Sequence, residues 1–157
     1  MNESFEIQIK PFNALSPVEI YKVLQLRSEV FVVEQNCVYM DIDGKDFDAD
    51  HLMIWSGSDL AAYARIFDRG AYFEQAAAIG RVIVSPRHRS FGLGHQLIKQ
   101  GLEHLEGEYQ VTTTEISAQE YLQKFYEKHG FVKTSDRYLE DGIPHIQMRR
   151  TADETTA

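Results

Sequence analysis

The sequence predicts a single α/β domain built on a mixed sheet. Strand-like and helix-like runs alternate in the order β-α-α-β-β-β-α-β-α-β-β, which favours parallel and antiparallel neighbours within one sheet. The 157 residues suffice for one hydrophobic core, and neither a repeat nor a linker divides them. We therefore predict one domain over residues 1–150 and a polar, disordered tail over residues 151–157.

The first part of the chain predicts a strand, a capped helix and a loop. Residues 5–10, FEIQIK, alternate between apolar and polar side chains, as a half-buried strand does. Residues 16–19, Ser-Pro-Val-Glu, form a capping box with proline at the first helical position. An apolar stripe extends this helix toward a break before residue 36, through Ile20, Val23, Leu24 and Phe31. An acid-rich loop follows at residues 41–50.

The middle of the chain predicts a hairpin, a strand and a helix. Residues 51–57 and 60–68 read as two strands around the turn Ser56-Gly57-Ser58-Asp59. Residues 78–84, AIGRVIV, form the next strand. The helix after it has one apolar face, formed by Leu93, Leu97, Ile98, Leu102 and Leu105.

The last part predicts a strand, a helix and a closing pair of strands. The β-branched run at residues 109–117 predicts the strand, and residues 118–130 predict a helix that ends at Gly130. Residues 131–136 and 145–150 form the closing pair, with residues 137–144 as their connection.

Composition excludes several classes of protein. The net charge of −8 argues against a nucleic-acid binder, which would carry a basic surface. No apolar run approaches the ~20 residues of a membrane span. The acidic start of the chain lacks the apolar core of a signal peptide, and the single cysteine, Cys37, allows no internal disulfide. We therefore expect a cytoplasmic protein in which Cys37 is a buried or inert thiol.

A glycine-rich connection, RHRSFGLG at residues 87–94, points to an anion site. A Walker A loop would place Lys after its last glycine, where His95 stands, and a dinucleotide fingerprint would place a third glycine where Leu97 stands. Free amides at a helix N-terminus attract anions, and Arg87 and Arg89 add charge. The alternative is a glycine-rich turn that only leads into a helix.

The stretch Arg89-Ser90-Phe91-Gly92-Leu93-Gly94 resembles the Arg/Gln-x-x-Gly-x-Gly/Ala acetyl-CoA loop of the GNAT N-acetyltransferase superfamily. Four segments in order, residues 24–44, 79–98, 118–131 and 139–148, are similar to the ElaA-like branch of that superfamily. The resemblance implies the GNAT fold, in which a mixed central sheet, flanked by helices, splays between its fourth and fifth strands.

The resemblance also implies where acetyl-CoA binds. Coenzyme A would lie between the splayed strands, and its pantetheine arm would pair with the backbone of the fourth strand. The residues implied in binding on that strand are Val82, Ile83 and Val84. The pyrophosphate would lie on the loop, against Arg87, Arg89, Ser90, Phe91, Gly92, Leu93 and Gly94. The side chains of the strand can belong to the core at the same time.

The resemblance assigns Tyr126 to the thioester sulfur, where it would donate a hydrogen bond to the departing thiolate; an aromatic core residue is the alternative. An amine acceptor must be neutral to attack, and the candidate bases are Glu34, His51 and Glu115. Glu34 and His145 are expected on the acceptor side, although a packed histidine is equally compatible with the segment around His145.

The acidic run at residues 40–51 does not match a calcium loop, because neither register gives glycine at position 6 and glutamate at position 12. We expect no metal. A solvated loop and an electrostatic attractor for a cationic amine remain as interpretations.

The predicted function is therefore acetyl transfer from acetyl-CoA to a primary amine, by direct attack on the thioester. The acceptor would be a small molecule or a peptide, and the protein a monomer or a homodimer. The alternative is a non-catalytic, regulatory module that binds acyl-CoA. The glycine loop would serve either function, whereas Tyr126 is needed only for turnover.

Overall fold

The computed structural model describes residues 4–152. Its three α-helices are α1 (Pro17–Arg27), α2 (Leu93–Tyr109) and α3 (Gln123–Glu127). Its eight strands are β1 (Glu6–Pro11), β2 (Asp50–Ser56), β3 (Asp59–Phe67), β4 (Ala77–Val84), β5 (Thr113–Gln119), β6 (Val132–Lys133), β7 (Tyr138–Glu140) and β8 (Ile143–Thr151). Across the described residues, no helix is both long and apolar enough to span a membrane.

The eight strands form one mixed sheet in the order β1-β2-β3-β4-β5-β8-β6, with β7 also paired to β8. The pair of β4 and β5 is parallel, and the other pairs are antiparallel. The ladder between β4 and β5 contains only Ala77 with Thr114 and Ala78 with Glu115. Beyond Ala78 the two strands separate, which confirms the predicted splay between the fourth and fifth strands.

The helices cover both faces of the sheet. Successive strand residues point to opposite faces, so Leu52 and Ile54 belong to the core under α2, whereas Met53 and Trp55 pack with α1. The core under α2 and α3 also joins the two halves of the sheet, since Leu97 and Ile98 are buried together with Ile116 and Ile146.

The start of α1 matches its prediction. The Ser16 hydroxyl accepts from the Glu19 amide at 3.1 Å, and the Glu19 carboxylate accepts from the Ser16 amide at 2.8 Å. The regular helix ends at Arg27, and the chain continues through Glu34 in π-helical turns. Such turns are rare and are frequently found at functional sites. They carry Glu34 toward the splayed part of the sheet.

Two predicted boundaries near the C-terminus are wrong. The helix expected over residues 118–130 is shortened because β5 pairs with β8 as far as Gln119 and His145, so α3 begins only at Gln123. The expected connection at residues 137–144 contains β7. Asp141 and Gly142 have φ of 50° and 79° and form a two-residue turn between β7 and β8.

The limits of two other elements also differ from their predictions. The strand expected from residue 109 begins at Thr113, because α2 extends to Tyr109. The tail expected from residue 151 starts within β8, since Thr151 pairs with Thr113, and the Ala152 amide donates to the Thr112 carbonyl at 2.7 Å. Residues 153–157 of the predicted tail lie outside the described residues.

The acid-rich segment is solvated only in part, because Asp41 and Asp46 are buried in ion pairs. Arg27, fully buried, lies 2.9 Å from an Asp41 oxygen and 2.6 Å from an Asp46 oxygen. Arg65 binds Asp43 and Asp46, at 2.6 and 3.1 Å, and Arg81 binds Asp41 at 2.8 Å. We call these six residues the Asp–Arg cluster. Burial by itself would raise the pKa of Asp46, but Arg27 and Arg65 hold it below its ordinary value.

Candidate active site

A cavity of about 440 Å³ opens where β4 and β5 separate. Its lining comes from both faces of the sheet, with Tyr126 from the α3 side and Phe31 and Glu34 from the chain that follows α1. The β7–β8 hairpin contributes Glu140, Asp141, Ile143 and His145. The gap in the sheet therefore connects two surfaces that a continuous sheet would separate.

The glycine loop borders this cavity at the N-terminus of α2. Residues 86–91 form 3₁₀ turns, and Gly92, at φ 70°, starts α2 in a left-handed conformation that favours glycine. Within residues 4–152, no side chain caps α2, so the amides of its first turn point outward without an intrahelical acceptor. This arrangement suits an anion.

The loop residues occupy different positions. Arg89 and Gly94 line the cavity. Arg87 and Ser90 are exposed, Leu93 is buried in the core, and the Phe91 ring packs edge-on against Phe5 at 5.3 Å.

Gly94 lies where three elements meet. A Cβ at this position would lie 3.4 Å from the Phe125 ring and 4.0 Å from a Val84 methyl group. An alanine would therefore be in ordinary contact, whereas a larger side chain would press against the wall of the cavity.

Arg89 links the loop to the opposite wall. Its guanidinium lies 2.8 and 3.0 Å from the two carboxylate oxygens of Glu34, and its Nε donates to the Val84 carbonyl at 3.2 Å. Both side chains are nearly half exposed, so this ion pair is open to solvent and to exchange with another anion.

Strand β4 is distorted beside the cavity. Arg81 has φ of 50°, and the register shifts so that Tyr63 pairs with Ile83 while Arg65 pairs with Gly80. Val82, Ile83 and Val84 all line the cavity. The backbone of this segment has no β5 partner, because the β4–β5 ladder ends at Ala78.

Tyr126 is buried on α3, between the rings of Phe125 and Phe131. Its hydroxyl has no hydrogen-bond partner within residues 4–152, although the residue lines the cavity. Burial, assisted by nearby Tyr121, raises the pKa of Tyr126 above its ordinary value. The phenol therefore stays protonated at neutral pH and can donate a hydrogen bond into the cavity.

The opposite side of the cavity carries ionisable groups. His145 Nδ1 lies 2.7 Å from the Ile143 carbonyl, and Nε2 lies 3.3 Å from a Glu140 oxygen. The other Glu140 oxygen lies 3.4 Å from the Ser117 hydroxyl, which also contacts the Tyr138 hydroxyl. The Tyr138 ring stacks on His145 at 6.1 Å and 25°.

Two of the predicted bases lie outside the cavity lining. His51 is buried, with Nδ1 2.6 Å from the Tyr63 hydroxyl and Nε2 2.9 Å from the Asp46 carbonyl. Burial lowers the pKa of His51 below its ordinary value. Glu115 accepts from Arg149 at 3.0 and 3.1 Å. Neither placement supports the predicted role.

Sequence reasoning missed several residues of the lining, of which Glu140 and Asp141 matter most. An Asp-Gly pair is a strong hairpin signal, and Asp141-Gly142 would have predicted β7 and brought Glu140 beside His145. Cys37, expected to be buried or inert, is partly exposed in the cavity lining, with Sγ 3.4 Å from the Asp141 carbonyl.

Metal ligands are not grouped in the part of the chain that the structure describes: no three or more His, Cys, Asp or Glu side chains are placed to hold an ion.

Comparisons with known proteins identify relatives of nearly full length. The family described as "Acetyltransferase (GNAT) domain" matches residues 15–152. Protein ElaA of Escherichia coli is 45% identical over 138 residues, which cover 87% of this chain and 90% of ElaA.

Two solved structures share the fold along most of their length. The acyl-CoA N-acyltransferase of Pseudomonas aeruginosa superimposes with a TM-score of 0.88 at 44% identity, covering 93% of this chain and 99% of the other. The crystal structure of Escherichia coli ElaA gives 0.87 at 42% identity, covering 94% and 99%.

Proposed function

The chain belongs to the GNAT acetyltransferase family, whose fold uses acetyl-CoA, and from that premise we propose that it transfers an acetyl group from acetyl-CoA to a primary amine. The observation that carries this proposal is the cavity through the sheet, with Tyr126 on one side and Glu34, Glu140 and His145 on the other. Two substrates can approach from opposite faces and meet at one point.

Acetyl-CoA binds on the α2 side. The amides at the start of α2 accept the pyrophosphate, and Arg89 exchanges its contacts with Glu34 for phosphate oxygens. The pantetheine arm pairs with the backbone of residues 82–84, which lacks a β5 partner. This arrangement directs the thioester into the cavity toward Tyr126.

The amine attacks the thioester carbonyl directly. A backbone amide of β4 near Val84 stabilises the oxyanion that forms. A thiolate has a pKa near ~8.5 and an ordinary tyrosine one near ~10, and burial raises the pKa of Tyr126 further. Complete proton transfer from Tyr126 is therefore unfavourable, and this residue acts as a hydrogen-bond donor to the departing sulfur.

The acceptor is a cationic primary amine. The Asp–Arg cluster already pairs the acids at positions 41, 43 and 46, so that segment does not supply the attraction predicted for the acidic loop. Glu34, Glu140 and Asp141 line the cavity instead. They favour a positively charged group over an anionic acceptor.

The proposal is tested by following CoA release from acetyl-CoA with butylamine, spermidine, lysine amide and a peptide with a free N-terminus. We expect turnover with at least one of them. We expect Tyr126→Phe to lower kcat on the order of 10²-fold, because a transition-state donor is lost. Acetyl-CoA affinity, measured by calorimetry, should remain nearly unchanged.

Tyr109→Phe is the matched control, because the Tyr109 hydroxyl binds Asp50 outside the cavity. It should keep the wild-type kcat. Binding of acetyl-CoA without turnover on any acceptor would support the non-catalytic module instead. Wild-type kcat in Tyr126→Phe, with chemistry shown to limit the rate, would make Tyr126 a packing residue.

A further inference from the structure

A histidine and a carboxylate face each other on the acceptor side of the cavity. We propose that His145 accepts the proton that the acceptor ammonium must lose, and that Glu140 holds the ammonium beside it. This assignment rests on the proposed acetyl transfer to an amine. It supplies the base that the sequence left undecided among Glu34, His51 and Glu115.

The contacts of His145 define which ring nitrogen can accept. A carbonyl oxygen only accepts hydrogen bonds, so Nδ1, at 2.7 Å from the Ile143 carbonyl, must carry the hydrogen. In the neutral ring, Nε2 then presents a lone pair. It lies 3.3 Å from a Glu140 oxygen, a gap that holds a hydrogen but no second heavy atom, so a donor that bonds to both acceptors would lie beside the pair.

An ammonium group is the donor that fits this arrangement. It carries three hydrogens and a positive charge, so it can donate to the Glu140 carboxylate and to Nε2 at once. The His145 side chain is only 8% exposed and Glu140 is about half exposed, which leaves the carboxylate in contact with solvent. A proton received by His145 can leave by that route.

The surrounding hydrogen bonds hold the pair in place. The turn at Asp141-Gly142 fixes β7 against β8, so Glu140 pairs with Ile143 and Tyr138 with His145. The Tyr138 hydroxyl contacts Ser117 and, at 3.3 Å, Gln147. A base held in this way has its orientation fixed before the substrate binds.

Two of the other candidates are engaged elsewhere, and the third is engaged until CoA binds. Glu34 binds Arg89 with both carboxylate oxygens until Arg89 exchanges them for phosphate oxygens, and Glu115 binds Arg149 outside the cavity lining. Both ring nitrogens of His51 have partners in the protein. His145, by contrast, lines the cavity and has one ring nitrogen, Nε2, whose neighbour is a carboxylate on the acceptor side.

The proton balance of the reaction is complete with these groups. The ammonium loses one proton to His145 Nε2, from which it passes to solvent. The neutral nitrogen forms a bond to the acetyl carbon, and the carbon–sulfur bond then breaks. The second proton leaves the nitrogen and reaches the thiolate, to which Tyr126 donates a hydrogen bond. The products are the acetylated amine, CoA thiol and one solvent proton.

The test compares a strongly basic amine, butylamine, with a weakly basic one, 2,2,2-trifluoroethylamine, which is largely neutral at pH 7. A lysine-like amine of pKa near ~10.4 has only about one molecule in 2,500 in the neutral form at pH 7, so a base matters most for butylamine. His145→Asn retains an amide donor for the Ile143 carbonyl but removes Nε2. We expect kcat/KM for butylamine to fall on the order of 10²-fold.

With trifluoroethylamine the same variant should lose only a fewfold, and acetyl-CoA affinity should not change. In His145→Ala, added imidazole should restore part of the butylamine rate, which a purely structural role would not explain. The matched control is His104→Gln, because His104 Nε2 also faces a carboxylate, Asp50, at 2.8 Å but lies outside the cavity lining. It should behave as the wild type.

Two failures are distinguishable. If the wild-type protein releases CoA with butylamine and His145→Asn does so equally fast, or loses the same factor with both amines, the assignment of His145 is overturned and the proposed function stands. If the wild-type protein binds acetyl-CoA and acetylates neither these amines nor the wider panel, the proposed function fails and the assignment falls with it.

Discussion

The protein contains two groups of acidic side chains with opposite surroundings. Asp41, Asp43 and Asp46 belong to the Asp–Arg cluster, where each contacts at least one guanidinium group. Glu140 and Glu34 lie on the cavity instead, half exposed, and face a histidine and an exchangeable arginine. The two groups meet at Arg81, which binds Asp41 and also lines the cavity.

The difference shows that acidic composition does not by itself define an acceptor site. Removing charges from water is costly unless they are paired, so the acids at positions 41 and 46 are tied to arginines and fix the position of their segment. The acids on the cavity keep access to solvent and can respond to a ligand. The first group therefore governs stability, and the second governs binding.

The largest effect that would test this division is expected for Asp46→Asn. The substitution removes the negative charge that Asp46 places beside Arg27 and Arg65. Breaking such a buried ion pair costs about 3–5 kcal/mol. We expect the free energy of unfolding, measured with urea, to fall by about that amount. Asp48→Asn is the control, because Asp48 is exposed and forms no ion pair among the described contacts.

The pH dependence of stability gives a second readout of the same variant. In the unfolded chain the pKa of an aspartate is near ~3.9. In the folded protein the arginines hold the pKa of Asp46 below that value. The unfolded state thus takes up the proton first, and the stability due to Asp46 is present above about pH 4 and lost as the pH falls further. In Asp46→Asn, the free energy of unfolding should therefore fall less steeply below pH 4 than in the wild type. Equal stability of the two asparagine variants would contradict the division.

A smaller effect is expected for Glu34→Gln, which probes the other group. The substitution removes the carboxylate that Arg89 must release when a phosphate approaches. Since an exposed ion pair contributes about 0.2–1 kcal/mol, we expect acetyl-CoA to bind up to about fivefold more tightly, as measured by calorimetry. Stability should hardly change. Weaker binding would mean that Glu34 positions Arg89 for the phosphate rather than competing with it.

An effect no larger than this is expected from salt. The carboxylates on the cavity should attract a cationic amine by about 1 kcal/mol per close pair, and dissolved ions screen this attraction. We expect kcat/KM for butylamine to fall roughly threefold to fivefold from low to high ionic strength, and glutamate to be a poorer acceptor throughout. A preference for glutamate, or no salt effect with butylamine, would show that these acids do not select the acceptor.

Local signals in the sequence predicted much of the fold. The capping box at Ser16, the hairpin around Gly57 and the helix after the glycine-rich connection each depend on a few neighbouring residues. The family resemblance added the splay between the fourth and fifth strands, and it anticipated that Tyr126 and residues 82–84 would share one cavity.

Features that depend on distant residues were harder to predict. The Asp–Arg cluster joins Arg27 to acids 14 and 19 positions away, and no local pattern encodes that pairing. The π-helical turns after Arg27 have no sequence signature of their own. The pair of Glu140 with His145 follows from the register of β7 and β8, so only the Asp141-Gly142 turn could have indicated it.

The short ladder between β4 and β5 also has a consequence for folding cooperativity. Among the residues that the structure describes, two residue pairs, at Ala77 and Ala78, connect the β1–β4 half of the sheet to the β5–β8 half. The halves are joined mainly through side chains, with α2 residues Leu97 and Ile98 packed against Ile116. A partial opening at this seam would break few backbone hydrogen bonds, so an amide that donates across it should exchange with solvent deuterium long before those shared between β2 and β3.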